Sequence, residues 1–173
     1  MVVDPVALWA ATTRPSSAAL PDLVDHEQKV SVVESSTGGM ISANLLLVAG
    51  AFKFFMGGSV VYTLASRRAY LDLDLDREKL KELNPLTEEM VTEFAKSAYE
   101  KLDTSRGIAE LGAAGPTGTA YRHGAGISVI GIAGPKIASR TVERGSINRI
   151  RNMQAFTKAG LELFLEVLSL IDG

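Results

Sequence analysis

Apolar and polar positions change period several times along this chain, and each change marks an element. Lys29-Val30-Ser31-Val32-Val33 is short, β-branched and partly alternating, which predicts a strand. Met40, Ile41, Asn44, Leu45 and Val48 then recur at helical spacing, and the apolar run over residues 41–56 reads as a buried helix and its exit. Gly57-Gly58 breaks the chain before a second predicted strand over residues 59–64. Asn84-Pro85-Leu86-Thr87 predicts a turn and a helix start. Beyond it Met90, Val91, Phe94, Ala95, Ala98, Tyr99 and Leu102 form one apolar face of about four turns. Residues 108–111 read as a strand running into a Gly-rich loop, Gly112-Ala113-Ala114-Gly115-Pro116-Thr117-Gly118. Residues 126–133 and 137–142 predict a hairpin turned at Gly134-Pro135. A long helix closes the chain from about Ser146, with Ile150, Phe156, Leu161, Phe164, Leu165 and Leu168 facing a core.

Strands and helices interleave throughout, so the expected class is a layered α/β domain. Residues 1–16, with Pro5 and Pro15, read as a loose arm or short helix. Residues 17–173 form the domain, opening on a helix over 18–28 that carries Leu20, Leu23 and Val24. No internal repeat is visible.

Composition narrows the function classes. A chain of 173 residues can bury a core without disulfides. Hydrophobic content of 46%, charged content of 22% and a net charge of −2 give no basic footprint for a nucleic acid. There is no cysteine, which excludes thiol nucleophiles and thiolate metal sites and fits an intracellular protein. Asp4 and Pro5 interrupt the N-terminus without a basic region before them, so no export signal is expected. The run over residues 41–56 is broken by Asn44, Gly50 and Lys53 and is short for a bilayer. A cytoplasmic protein without membrane contact is the expectation. Asp72, Asp74 and Asp76 alternate with leucines but lack the central Gly and distal Glu of a calcium loop. The two histidines and scattered carboxylates offer no metal-ligand spacing, so neither metal nor cofactor is expected.

The densest chemistry lies where the first strand meets its helix, at Glu34-Ser35-Ser36-Thr37-Gly38-Gly39. A Gly-rich turn there can expose backbone N–H groups to a phosphate or an oxyanion. It can equally be a turn and an N-cap with no ligand. The loop at 112–118 also follows a strand. If the two strands are neighbours, both loops face one crevice at the carboxyl ends of the sheet.

These residues resemble the CinA C-terminal domain family, whose characterised members are nicotinamide mononucleotide deamidases, hydrolysing the carboxamide to the acid with release of ammonia. The family motif Glu-Ser-Cys-Thr-Gly-Gly stands as Glu34-Ser35-Ser36-Thr37-Gly38-Gly39. Its Gly-Phe-Val-Thr-Tyr-Ser block matches Gly58-Ser59-Val60-Val61-Tyr62-Thr63, and its Val-Ser-Glu helix start matches Leu86-Thr87-Glu88. Gly131-Ile132-Ala133-Gly134-Pro135 is the literal match to its Gly-Ile-Ala-Gly-Pro loop. Gly112-Ala113-Ala114-Gly115-Pro116 stands at the family distance from Thr87-Glu88 and is taken as the true equivalent, with 131–135 as a hairpin. Residues 145–151 resemble the approach to the last helix, with Arg151 at the last arginine. The resemblance spans roughly residues 20–170.

It implies a single-domain three-layer α/β/α sandwich, a homo-oligomer and a small nucleotide ligand. It also implies a Ser–Lys pair assisted by the strand Tyr, which places the nucleophile at Ser35 and the tyrosine at Tyr62. Thr37, Gly38 and Gly39 would supply donors. Ser36, Gly112, Ala113, Gly115 and Arg151 would line the ligand. The family's lysine position falls on Arg67. A guanidinium stays charged at any working pH and cannot serve as base to Ser35, though it could clamp an anion. His123 has a suitable unperturbed pKa, but an exposed loop residue is the simpler reading, and Lys53 lies before the second strand. Arg140, Arg144 and Arg149 read as surface charges. The expectation is a pyridine-nucleotide-binding module with lost or reduced deamidase activity; the alternative is an active amidohydrolase.

Overall fold

The computed structural model describes residues 28–71, 86–119 and 123–170. The expected arm, the helix over 18–28 (apart from Gln28), and Asp72, Asp74 and Asp76 lie outside those residues. Within them, five strands and four helices follow in the order β1 (Val30–Glu34), α1 (Met40–Leu46), β2 (Phe55–Val60), α2 (Leu64–Tyr70), α3 (Glu88–Lys101), β3 (Arg106–Ala113), β4 (Ile127–Ala133), β5 (Ala138–Glu143) and α4 (Arg149–Ser169).

The strands form one mixed sheet in the order β2-β1-β3-β4-β5. β1 pairs in parallel with β2 and with β3, while β3–β4 and β4–β5 are antiparallel. The β4–β5 hairpin turns at Gly134-Pro135, so residues 131–135 belong to a strand and its turn, as expected.

Strand alternation sends side chains to two separate cores. Val30 and Val32 of β1, Ile108 of β3 and Ile130 and Ile132 of β4 meet Ile41 and Leu45 of α1 and Leu161, Phe164 and Leu168 of α4. Val33, Ala109, Leu111 and Val129 point the other way, against Met90, Val91, Phe94, Ala95 and Ala98 of α3. The result is the three-layer α/β/α sandwich. Each fully buried Leu, Ile or Phe contributes about 1.5–3 kcal/mol by leaving water, so both faces hold the sheet.

Three local expectations shift. The first helix ends at Leu46, and a short 3-10 turn (Ala51–Lys53) fills the rest of the apolar run. The second strand starts at Phe55 rather than 59 and ends at Val60, because it follows the register of β1, with Val32 opposite Gly58. Residues 64–70 are helical. Thr63 and Ser66 form a reciprocal capping box that starts α2, a signal that outweighs the β-branched run before it. Leu102, counted by spacing on the α3 face, lies past the helix end and is exposed.

Arg106, at the amino end of β3, is 2% exposed. Its guanidinium donates to the Gln28 side-chain oxygen, and burial lowers its pKa. No helix among the described residues is long and apolar enough to cross a membrane.

Candidate functional site

β2, β1 and β3 run in parallel, so the segments leaving their carboxyl ends emerge side by side. Tyr62 follows β2, Ser35 follows β1 and Gly115 follows β3. The two glycine loops therefore share one edge of the sheet, with the Ser35 loop between the other two exits.

Two buried carboxylates organise this edge. Glu34, the last residue of β1, is 0% exposed. One of its oxygens, Oε2, accepts from Thr37 Oγ1 at 2.7 Å, Gly39 N–H at 3.1 Å and Ile41 N–H at 2.9 Å. Its Oε1 accepts from Ser42 N–H at 2.8 Å and Ser42 Oγ at 2.7 Å. Glu110, in β3, is also 0% exposed. Its Oε1 accepts from Ser36 Oγ at 2.5 Å and Ser128 Oγ at 2.6 Å. Its Oε2 accepts from Ser35 N–H at 3.2 Å and Thr37 N–H at 3.0 Å, with Thr37 Oγ1 3.1 Å away. Charge-assisted bonds of this kind are the strong ones, and they lock the turn to β1, β3 and β4 together.

The consequence for ligand chemistry is direct. The amino end of α1 is already capped by Glu34, so Gly39 N–H is engaged. Thr37 N–H and its hydroxyl are engaged as well. The N–H groups of Ser36 and Gly38 make no hydrogen bond to a described residue. Gly38 and Gly39 sit at φ of 65° and 95°, a left-handed backbone that glycine adopts without strain. Gly112 lies under the network: a Cβ there would meet Ser36 Oγ at 2.5 Å and Glu110 Oε1 at 2.7 Å.

Ser35 is 4% exposed, and its hydroxyl makes no hydrogen bond to a described residue. Tyr62 is 57% exposed. Arg67 lies on α2 with its Nε donating to Val61 O at 3.3 Å and its guanidinium 5.5 Å from the centre of the Phe94 ring. That places it against the α3 layer. Gly112 and Ala113 are the last residues of β3 rather than loop residues, and the loop begins at Ala114, just before Gly115.

Arg151 is exposed, and its backbone N–H donates to Asn148 Oδ1 at 3.1 Å. Sequence reasoning missed its neighbour. Arg149 Nη1 donates to Gly115 O at 2.8 Å, and its Nη2 lies 3.5 Å from Tyr62 Oη. Its guanidinium carbon is 5.9 Å from the Tyr62 ring centre. Asn152, fully buried one turn on, donates to Ala114 O at 2.9 Å and Ser146 O at 2.6 Å. The start of α4 thus clasps the second loop. Spacing along α4 could have singled out Asn152, a polar residue on the apolar side of a helix.

The substitutes for lysine do not join the site in the described contacts. His123 closes a turn on Thr119, donating its N–H to Thr119 Oγ1 and accepting from Thr119 N–H at its carbonyl. Lys53 lies at the amino end of β2, opposite to Tyr62. Arg140 pairs with Glu166 at 2.7 Å. No cluster of metal-ligating side chains occurs among the described residues. A separate hollow of about 280 Å³, open to solvent, lies between β2 and α3 and is lined by Met56, Gly57, Tyr70, Leu71 and Ala98. None of the glycine-loop residues line it.

Fold and site define a three-layer α/β/α domain that gathers its two glycine loops at the carboxyl ends of parallel strands. The family model for the CinA C-terminal domain matches residues 14–168, and the chain belongs to that family. A CinA-like protein of Prochlorococcus marinus (strain MIT 9515) is 32% identical over 143 residues, covering 78% of this chain and 33% of that protein. A putative competence-damage inducible protein of Caldicellulosiruptor saccharolyticus is 30% identical over 146 residues, covering 84% and 35%. The chain thus spans about a third of the length of these curated relatives. Among solved structures, a CinA superfamily protein from Enterobacter cloacae superposes with a TM-score of 0.79 at 25% identity, covering 88% of this chain and 89% of that one. The Escherichia coli superfamily protein gives the same TM-score at 20% identity, covering 96% and 94%.

Proposed function

We propose that the crevice beyond β2, β1 and β3 binds nicotinamide mononucleotide or a closely related phosphorylated ligand, in a chain whose deamidase activity is lost or reduced. The ligand class comes from the family resemblance. The observation that carries the loss is that no base meets the Ser35 hydroxyl among the described residues, with Arg67 standing where the resemblance calls for lysine. Amide hydrolysis needs a nucleophile and a group to take its proton. The Ser35 hydroxyl has no hydrogen-bonded base among the described residues. Arg67, where the resemblance calls for lysine, is directed to Val61 O and Phe94, and a guanidinium does not deprotonate. The proposal includes self-association and a cytoplasmic setting, as the sequence suggested.

One observation favours the active alternative. Glu110 reaches Ser36 Oγ at 2.5 Å, beside Ser35, so a carboxylate is close to the hydroxyl cluster even without lysine. Ammonia release from nicotinamide mononucleotide separates the readings. The proposal expects wild type to match the Ser35→Ala background and Arg67→Lys to raise turnover above it. Wild-type turnover that Ser35→Ala abolishes and Arg67→Lys leaves unchanged establishes the amidohydrolase instead.

A further inference from the structure

We propose that Arg149 is the anion-binding residue of this crevice, its guanidinium receiving the ligand phosphate at the rim above Ser35; this rests on the nucleotide reading given above. The placement follows from strand order. β1 lies between β2 and β3, so Tyr62 and Gly115 leave the sheet two strand spacings apart, about 10 Å. Arg149 touches both. A group that spans those exits must pass over the exit of β1, where Ser35 stands.

The guanidinium is held but not satisfied. It has five N–H donors in a planar fork. One engages Gly115 O at 2.8 Å, and a second points to Tyr62 Oη over a long 3.5 Å. Arg149 makes no ion pair with any described residue. The other arginines near α4 differ in this respect or in position. Arg140 is paired to Glu166, and the Arg151 side chain makes no hydrogen bond to either exit among the described residues. A planar, pre-oriented and unpaired guanidinium matches the geometry of a phosphate monoester.

Depth orders the two ends of the ligand. Ser35 is buried while Arg149 is exposed. A nucleotide with its ring directed to the floor would leave its phosphate at the rim. The exposed Tyr62 ring, under the same guanidinium, forms one wall.

Calorimetric titrations of nicotinamide mononucleotide and nicotinamide riboside into wild type, Arg149→Met, Arg149→Lys and Arg140→Met test the assignment. Wild type should prefer the nucleotide. Arg149→Met should weaken the nucleotide about ten- to a hundredfold and leave the riboside unchanged, Arg149→Lys should restore part of the loss, and Arg140→Met should do nothing. Thermal unfolding of each variant reports whether it folds, and this exposed side chain should be replaceable. If wild type prefers the nucleotide and Arg149→Met keeps that preference, the assignment fails while the nucleotide reading stands. Equal loss for both ligands makes Arg149 a wall of the crevice and overturns its phosphate role. If wild type binds neither, the nucleotide reading fails and takes this assignment with it.

Discussion

Glu110 sits among two hydroxyls and two backbone N–H groups that all donate to it, and a third hydroxyl is in reach. That donor set determines how its replacements should rank. Glutamine keeps one acceptor oxygen for the Ser35 and Thr37 N–H groups, and the Ser36 and Ser128 hydroxyls can rotate to accept from its NH₂. Glu110→Gln should therefore lose about 1–3 kcal/mol. Leucine fills the space but orphans two buried backbone donors, so Glu110→Leu should lose clearly more. Urea unfolding of both variants checks the order; equal losses would mean that the carboxylate is not what holds the turn. The motif at 34–39 was legible as a hydroxyl and glycine cluster. The role of Glu34 was not, because nothing in the sequence says that its side chain folds back onto the helix it precedes. Glu110 was read only as part of a strand, since its partners lie 74 residues upstream at Ser36 and 18 downstream at Ser128. Arg149 was set aside for the same reason, as its contacts reach Gly115 and Tyr62.

Among the elements, α3 and β3 approach unusually closely. A Cβ built at Gly107 would stand 1.8 Å from Ala95 O, which belongs to helix backbone and cannot rotate away. Gly107→Ala should push α3 from the sheet and loosen the core around Phe94, with an overpacking loss of about 3 kcal/mol. An unchanged urea midpoint would show that the helix rides on the sheet without strain. The helix faces of α3 and α4 were legible from spacing, because amphipathic periodicity is a local property. The β4–β5 hairpin was equally plain from its Gly-Pro turn. The bounds of β2 were not, since its glycines, read as a break, are strand residues in register with β1. Gly57 and Gly58 pair with Ser31 and Val32. A Cβ at Gly58 would meet Ser42 Oγ at 2.5 Å, so packing against α1 selects glycine where local propensity argues against a strand.

At the scale of the molecule, sheet order turns separate motifs into a site. Residues 34–39, Tyr62 and 112–116 become adjacent only because β1 pairs on one side with β2 and on the other with β3. The interleaved pattern of elements was enough to expect an α/β layering, and the parallel neighbours place both glycine loops at the carboxyl edge, where such folds bind ligands. The sequence could not supply the second fact that matters there: the amino end of α1 is closed by the protein's own Glu34, while the Ser36 and Gly38 N–H groups, the Ser35 hydroxyl and the remaining Arg149 N–H groups are donors still available among the described residues. The central claim is that this edge, rather than the hollow beside α3, takes the nucleotide. Titrating nicotinamide mononucleotide into ¹⁵N-labelled wild type and following backbone amide shifts tests it most directly. Saturable shifts concentrated at Ser36, Gly38, Gly39, Ala114, Gly115 and Arg149 are predicted. Saturable shifts at Met56, Tyr70, Leu71 and Ala98 with those residues still, or no saturable shift anywhere, would contradict it.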